Sequence, residues 1–198
     1  TSSKTRSVRL TLLRWEMLTR LFALPAPSRS LLYVFSRNSF FAKKTLTSFI
    51  AEVFIEPGAL LLAFGFGVGA IVDSFNYTAF FFPGFLVHTA MMLAWRESSE
   101  SVHKRFCEET SLYQTFRLTS LEAHEVGLGE WLWASAKGFV PTTFFTIGAA
   151  ILGLLSWTLV PLVLIGLALT STFFASLGLA AGSWFLRTEH LNILHSVV

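Results

Sequence analysis

The fold of this chain is decided by residues 96–130, RESSESVHKRFCEETSLYQTFRLTSLEAHEVGLGE, a polar segment between two apolar stretches. Residues 51–95 before it carry only three charged side chains, and residues 138–186 after it carry none. A segment rich in Glu, Lys, Arg and His between two such stretches is expected to lie in water while its flanks lie in lipid. The sequence therefore predicts that residues 96–130 connect a membrane domain to a soluble partner.

The composition is that of an integral membrane protein. Of the 198 residues, 53% are hydrophobic and 14% are charged, which is unlike a soluble domain. The net charge of +3 would fit nucleic acid binding in a soluble protein, but the basic residues here border apolar stretches, where they meet lipid headgroups. We therefore expect membrane lipid, and no nucleic acid, among the partners. The single cysteine, Cys107, excludes an internal disulfide framework.

The apolar stretches predict four membrane spans in two hairpins, residues 51–95 and residues 131–186. Residues 138–186 are too long for one span, because a helix of that length would extend about 73 Å and a bilayer core is about 30 Å thick. A bend near residues 156–161 therefore divides the second hairpin, and residues 187–198, which turn apolar from Leu191 onward, would begin a fifth span. The spans are expected at residues 51–72, at residues 78–95, from near residue 131, and up to near residue 185.

Two polar segments precede the first span. Residues 1–27 predict a basic cytoplasmic tail that ends in the helix breakers Pro25 and Pro27. Residues 28–50 place their apolar side chains roughly on one helical face, which predicts an amphipathic helix in the membrane interface. A solvated linker is the alternative, because the periodicity is imperfect.

The basic residues predict the orientation. Nine Lys or Arg precede the first span, five lie between residues 96 and 137, and one follows the fourth span. The two loops on the other side of the membrane have none. The positive-inside rule therefore places the N-terminus, residues 96–130 and the C-terminal end in the cytoplasm.

Glycine pairs and carboxylates are the candidate sites within the spans. Gly65 with Gly69, and Gly178 with Gly182, are four residues apart on a helix face, which favours close helix packing over a phosphate-binding loop. The carboxylates are Glu52 and Glu56, also four residues apart, and the sequence leaves three roles open for them. They could extend to the interface, pair with Lys43, Lys44 or Arg96, or line an entrance.

No metal site, proton relay or nucleotide site is predicted. His124 and Glu125 begin like a zinc-protease motif, but Leu128 stands where the second histidine is needed. His88 is expected deep in the second span, but no carboxylate lies at similar depth to form a proton relay with it. The chain has no Gly-rich loop followed by Lys and Ser or Thr, so any ATP and Mg are expected in a separate polypeptide. We expect no cofactor in this chain and no enzyme activity.

Three aromatic residues in the polar segment, Phe106, Tyr113 and Phe116, are the candidate docking residues. Apolar anchors among polar residues are typical of a protein docking surface. Packing of the same side chains back onto the membrane domain is the alternative.

Several short motifs occur once each along this chain, in a characteristic order. They are Arg37 and Asn38, the run from Leu62 to Gly69, Tyr77 with Phe82, Pro83 and Gly84, Arg105 and Phe106, and finally Gly129, Glu130, Trp131 and Ala134. Through these motifs residues 37–198 resemble the type-2 ABC exporter permeases, and within them the branch of nodulation-factor and polysaccharide exporters.

The resemblance implies an all-α permease subunit of the bacterial inner membrane, with four of a probable six spans in this chain. It implies a second permease copy as a homodimer partner, an ABC ATPase subunit, and outward movement of a lipid-linked glycan, lipo-oligosaccharide or similar amphiphile. It further implies an interfacial gate helix at residues 28–50, and a coupling helix in residues 96–130 that docks the ATPase. On this interpretation Arg37, Glu52 and Glu56 belong to the gate or entrance.

Two other classes of function stay open from the residues. A membrane scaffold that anchors a soluble partner through residues 96–130, without transport, would have the same polar segment. An intramembrane enzyme would need a nucleophile with a base, or two deep carboxylates, and the spans offer only Ser and Thr with His88.

Overall fold

Every regular element in the described part of the chain is a helix. The computed structural model describes residues 29–72, 77–101 and 123–184. The helices are α1 (Arg29–Lys44), α2 (Leu46–Val68), α3 (Tyr77–Arg96), α4 (Ala123–Ile151) and α5 (Val160–Trp184). A π-helical turn, Glu97–Ser101, extends α3. The expected basic tail, the docking residues Phe106, Tyr113 and Phe116, and the start of a fifth span lie outside the described residues.

Three of the described helices are long and apolar enough to cross a membrane: Leu46–Val68, Tyr77–Ser99 and Val160–Ser183. They correspond to the first, second and fourth expected spans, and the all-α membrane fold is confirmed. Helix α4, the expected third span, is longer but is not among them; it carries Glu125 and Glu130 in its first half and Lys137 at its midpoint. The described residues thus contain three apolar helices and one more polar long helix where four apolar spans were expected.

Helix α4 packs against α1, α3, α5 and the π-helical turn. One buried cluster joins α3, α4 and α5 through Phe82, Phe85, Leu86, Ala90, Ala149 and Leu167. A second cluster, nearer the π-helical turn, consists of three alanines, one from each helix: Ala94, Ala134 and Ala175. Small side chains let helix backbones approach closely, which is the main way in which helices associate in lipid.

Helix α2 is irregular because of one proline and three glycines. Two π-helical stretches interrupt it, Ala51–Ile55 and Leu61–Val68. The first directly precedes the turn of Pro57, which has no N–H to donate and crowds the preceding turn, so a wider turn accommodates it. In the second, the Thr78 hydroxyl donates to the Gly65 carbonyl at 2.9 Å, and a Cβ at Gly69 would overlap that carbonyl. Gly65 and Gly69 thus lie where α2 meets the start of α3.

The turn between α4 and α5 occupies residues 152–159, close to the expected bend. Gly153 has a φ of 74°, in the left-handed region that glycine adopts without steric cost. Helix α5 then begins at Val160 with Pro161 in its first turn, where the missing N–H costs no helical hydrogen bond.

Helix α5 contacts the π-helical turn through Gly178 and Gly182. A Cβ at Gly178 would collide with the Ser98 hydroxyl, and one at Gly182 would lie 2.8 Å from the Ser99 carbonyl oxygen. Both serines are fully buried, and the Ser98 hydroxyl donates to the Ala94 carbonyl at 2.8 Å. This close contact therefore depends on the absence of a side chain at both glycines.

Substitution of Gly178 by alanine is expected to destabilise the protein by about 1–3 kcal/mol, the usual cost of overpacking a tight contact. The matched control is Gly166→Ala on the same helix, where the described residues leave open space around the added Cβ and the change should be neutral or slightly stabilising. The free energy of unfolding in detergent measures both. Equal effects of the two substitutions would refute the proposed role of Gly178.

Candidate functional site

Three side chains on one face of α4 form the most densely bonded polar feature of the described residues. They are Glu130, Trp133 and Lys137, and we call them the polar stripe. Their spacing of three and four residues places them on successive turns of the same helix face. Glu130 is 2% exposed and Lys137 is 8% exposed. Because ionised side chains in such surroundings need partners, the contacts of each member define what the stripe holds together.

Glu130 connects α4 to the interfacial helix candidate α1. One carboxylate oxygen accepts from the Arg37 guanidinium, and the other accepts from the Asn38 side-chain amide at 2.8 Å. Arg37 also donates to the side-chain amide oxygen (Oδ1) of Asn38 at 2.8 Å, which orients that amide for its contact with Glu130. Val34, one helical turn before, lies directly over Gly129, where a Cβ would be only 2.5 Å from it. The Arg37–Asn38 and Gly129–Glu130 motifs of the sequence are therefore the two sides of one contact.

Trp133 lies between α1 and the end of α3. Its ring meets Phe35 of α1 edge to face, with centroids 5.4 Å apart, and meets Phe49 of α2 at 6.5 Å. Its indole N–H donates to one carboxylate oxygen of Glu97 at 3.1 Å. The apolar part of this side chain thus contacts two helices and its polar part a third.

Lys137 is shared by two carboxylates. Its ammonium donates to Glu97 at 2.8 Å and to Glu52 at 2.9 Å. It also lies 5.8 Å from the centre of the Phe49 ring, a cation–π distance. Glu97 is itself only 8% exposed, so this ion pair is enclosed by protein. Lys137 therefore joins α4 to α2 and to the first residue of the π-helical turn.

Glu56 pairs outside the stripe, with Arg96 at 3.4 Å; the Glu56 side chain is largely exposed and that of Arg96 is about one-third exposed. Glu52, Glu56, His88 and Arg96 line a cavity of about 100 Å³ between α2 and α3. Of the roles left open for the two glutamates, pairing is thus observed for both. The partner of Glu52 is Lys137, however, and not one of the basic residues that the sequence suggested.

A second cavity, of about 240 Å³, lies between α1, α2 and α4. Aromatic and aliphatic side chains from α1, α2 and α4 line it almost completely, among them Phe35, Phe49, Phe54, Trp133 and Phe144. Lys137 lies at its wall. A cavity with charged side chains in its wall and an almost wholly apolar cavity therefore both border α2, close to the ion pairs of the stripe.

Sequence reasoning missed Lys137 and Glu97 as site residues. In the sequence, Lys137 counted only as one of the basic residues that predict the orientation. Glu97 counted only as part of a segment expected to lie in water. The structure differs at both ends of residues 96–130, since Glu97, Ser98 and Ser99 are buried and Glu130 belongs to α4. The signal that could have found Lys137 is its spacing from Glu130 and Trp133 at the edge of an uncharged stretch. The described residues contain no cluster of three metal-ligating side chains.

Replacement of Glu130 by alanine is expected to cost about 3 kcal/mol of stability, because it leaves the buried Asn38 amide and the partly buried Arg37 guanidinium without this partner. The contrasting variant is Glu56→Ala, which removes an exposed ion pair and should cost no more than about 1 kcal/mol. Chemical unfolding in detergent compares the two, and limited proteolysis within α1 reports its release from α4. Equal costs, with α1 still protected, would contradict this assignment.

Several curated proteins are similar to this chain, and each of the seven best carries the name Nodulation protein J. The protein from Sinorhizobium fredii is 32% identical over 161 residues, which cover 79% of this chain and 60% of the relative. That from Bradyrhizobium diazoefficiens is 30% identical over 178 residues, which cover 88% of this chain and 68% of the relative. That from Rhizobium leguminosarum biovar viciae is 31% identical over 159 residues, covering 79% and 61%.

The chain spans about 60% of the length of the first two of these relatives in order of similarity. No protein-family profile matches the chain, and no solved structure does. Identity of 30% over more than two thirds of a relative is enough to establish common family, and it agrees with the motif order noted in the sequence. The chain therefore belongs to the Nodulation protein J family, a branch of the type-2 ABC exporter permeases.

Proposed function

We propose that this chain is the permease subunit of an ABC exporter that moves a lipid-linked glycan, a lipo-oligosaccharide or a similar amphiphile outward across the bacterial inner membrane. The observation that carries the proposal is membership of the Nodulation protein J family, together with the motifs through which this chain resembles the type-2 ABC exporter permeases. Three helices that could cross a membrane fit this role. A second copy of the chain would complete the translocation path as a homodimer.

The energy would come from a separate ATPase subunit, which binds ATP and Mg. The phosphate-loop motif for nucleotide binding is missing from the 198 residues. The closure of the ATPase on binding ATP must therefore reach this chain through a protein–protein contact. A docking segment can shift an equilibrium only if it binds the ATPase differently in its two states. Phe106, Tyr113 and Phe116 are the residues that we propose for this contact, on the cytoplasmic side.

The substrate class is supported by the two cavities beside α2. An amphiphile has a polar end and an apolar end; one cavity beside α2 carries Glu52, Glu56, His88 and Arg96 among mainly apolar lining residues, and the other is lined by aromatic rings. Glu52 and Glu56 would then lie at the entrance, as the resemblance implies. Arg37, on α1, would act at the same entrance through its contact with Glu130.

The proposal predicts that Tyr113→Asp combined with Phe116→Asp abolishes co-purification of the full-length protein with its ATPase. Two added carboxylates in a docking surface introduce charges that binding would have to desolvate, so association should weaken at least about tenfold. The matched control exchanges the aromatic rings without adding charge, as Tyr113→Phe with Phe116→Tyr, and should retain the ATPase.

Membrane insertion of the Asp variant is checked by its yield in the membrane fraction and by its elution as a single species in detergent. Association with the ATPase that is unaltered in the Asp variant would remove the docking assignment. Association without any nucleotide-dependent export by the unmutated complex would favour a membrane scaffold over an exporter.

A further inference from the structure

We infer that the polar stripe transmits motion from the cytoplasmic segment to the entrance helices, so that Lys137 is a positioning residue for coupling. The inference rests on the proposed function, because it assumes that an ATPase moves the segment that follows Ser101. It assigns to Glu97, Trp133, Lys137 and Glu52 a role in coupling that is distinct from docking and additional to the cavity lining that Glu52, Trp133 and Lys137 contribute.

The first step lies at the end of α3. Glu97 is the first residue of the π-helical turn Glu97–Ser101, and the polar segment with the docking residues follows that turn directly. Both oxygens of its carboxylate are bonded to α4, one to Trp133 at 3.1 Å and the other to Lys137 at 2.8 Å. A displacement of the segment therefore reaches α4 through two hydrogen bonds, one of them an ion pair.

The second step is a change in which carboxylate, Glu97 or Glu52, is the principal partner of Lys137. Its ammonium holds Glu97 on one side and Glu52 of α2 on the other, at nearly equal distances of 2.8 and 2.9 Å. Two carboxylates share one ammonium, so a movement that lengthens one contact leaves the other as the principal partner of Lys137. Such a group has discrete arrangements, which a two-state device requires.

The third step leads to α1. Two turns before Lys137 on the same face of α4, Glu130 holds Arg37 and Asn38 of α1. A rotation of α4 about its axis would move Glu130 and Lys137 together, because they share one face of a continuous helix. Helix α2, which lines both cavities, and helix α1, which lines the apolar one, would therefore respond to the same displacement of Glu97.

Charge, rather than apolar contact, suits this role for a physical reason. Apolar side chains have no strong preference for one relative position, because burial of apolar area is non-directional. A buried ion pair is directional, and separation of its partners leaves an uncompensated charge. The stripe thus joins the helices at fixed, charge-specific points, in addition to the close packing of alanines and phenylalanines elsewhere.

The experiment separates transmission from simple bracing. The triple variant Glu52→Gln, Glu97→Gln and Lys137→Met removes the ions but leaves no unpaired charge, so it is expected to fold. A bracing role predicts that this variant behaves like the unmutated protein once it is folded. Transmission predicts a folded protein in which the entrance no longer responds to nucleotide.

The readout is an environment-sensitive fluorophore on one introduced cysteine, in a Cys107→Ser background, in the full-length permease with its ATPase in liposomes. One labelled protein carries Ser111→Cys in the cytoplasmic segment, and another carries Phe40→Cys on the exposed side of α1. The signal change between the nucleotide-free and the ATP–vanadate state is measured for each. The matched control is Thr146→Val, a buried residue of α4 whose hydroxyl donates to the Thr142 carbonyl of its own helix.

In the unmutated complex and in the Thr146→Val control, both fluorophores should respond to nucleotide. In the triple variant the Ser111→Cys response should persist while the Phe40→Cys response falls about fivefold or more, the lower end of coupling between distant sites. Two results would overturn the inference and leave the proposed function standing. In one, the triple variant retains the Phe40→Cys response; in the other, the unmutated complex shows a Ser111→Cys response but no Phe40→Cys response. A silent Ser111→Cys label, with no bound ATPase, overturns the proposed function and the inference with it. Should the triple variant fail to fold, Glu97→Gln alone carries the same expectations.

Discussion

The architecture depends on the enclosure of one ammonium group, that of Lys137, between the carboxylates of Glu97 and Glu52. A lone lysine within a helix bundle in lipid would be costly, and so would either carboxylate alone. Together they allow a helix with charged residues, α4, to lie among helices that are apolar enough to cross a membrane. The charged groups Glu130 and Lys137 of α4 are buried against protein, so its place among the other helices follows from these charges as much as from its apolar surface.

Packing elsewhere in the bundle follows from small residues. Lipid tails are as apolar as leucine, so helices gain little from apolar burial and associate through close contact and hydrogen bonds. The alanines Ala94, Ala134 and Ala175, and the glycines Gly129 and Gly178, supply the close contacts. The polar stripe supplies the hydrogen bonds and ion pairs that fix which faces meet. Small residues and buried charges together explain why α4 contacts α1, α3 and α5.

Much of the fold could be predicted from residue type and spacing. The uncharged stretches located the helices, and the length argument required a bend, which lies beside the left-handed Gly153. The family resemblance named Arg37, Asn38 and Glu130 as motif residues without showing that they touch. The sequence could not show that Lys137 pairs with Glu97 and Glu52. Glu97 lies 40 positions before Lys137 in the chain, and Glu52 lies 85 positions before it. Proximity in space, set by the packing of three helices, is not encoded in any local pattern.

The most direct test of this account is a double-mutant cycle on Lys137 and Glu97. The free energies of unfolding are measured in detergent for the unmutated protein, Lys137→Met, Glu97→Gln and the double variant. The account predicts that the two effects are strongly non-additive, with a coupling energy of about 1–3 kcal/mol, because removal of either partner leaves the other less well compensated. Additivity within about 0.5 kcal/mol would show that the two side chains do not depend on each other, and would contradict the account.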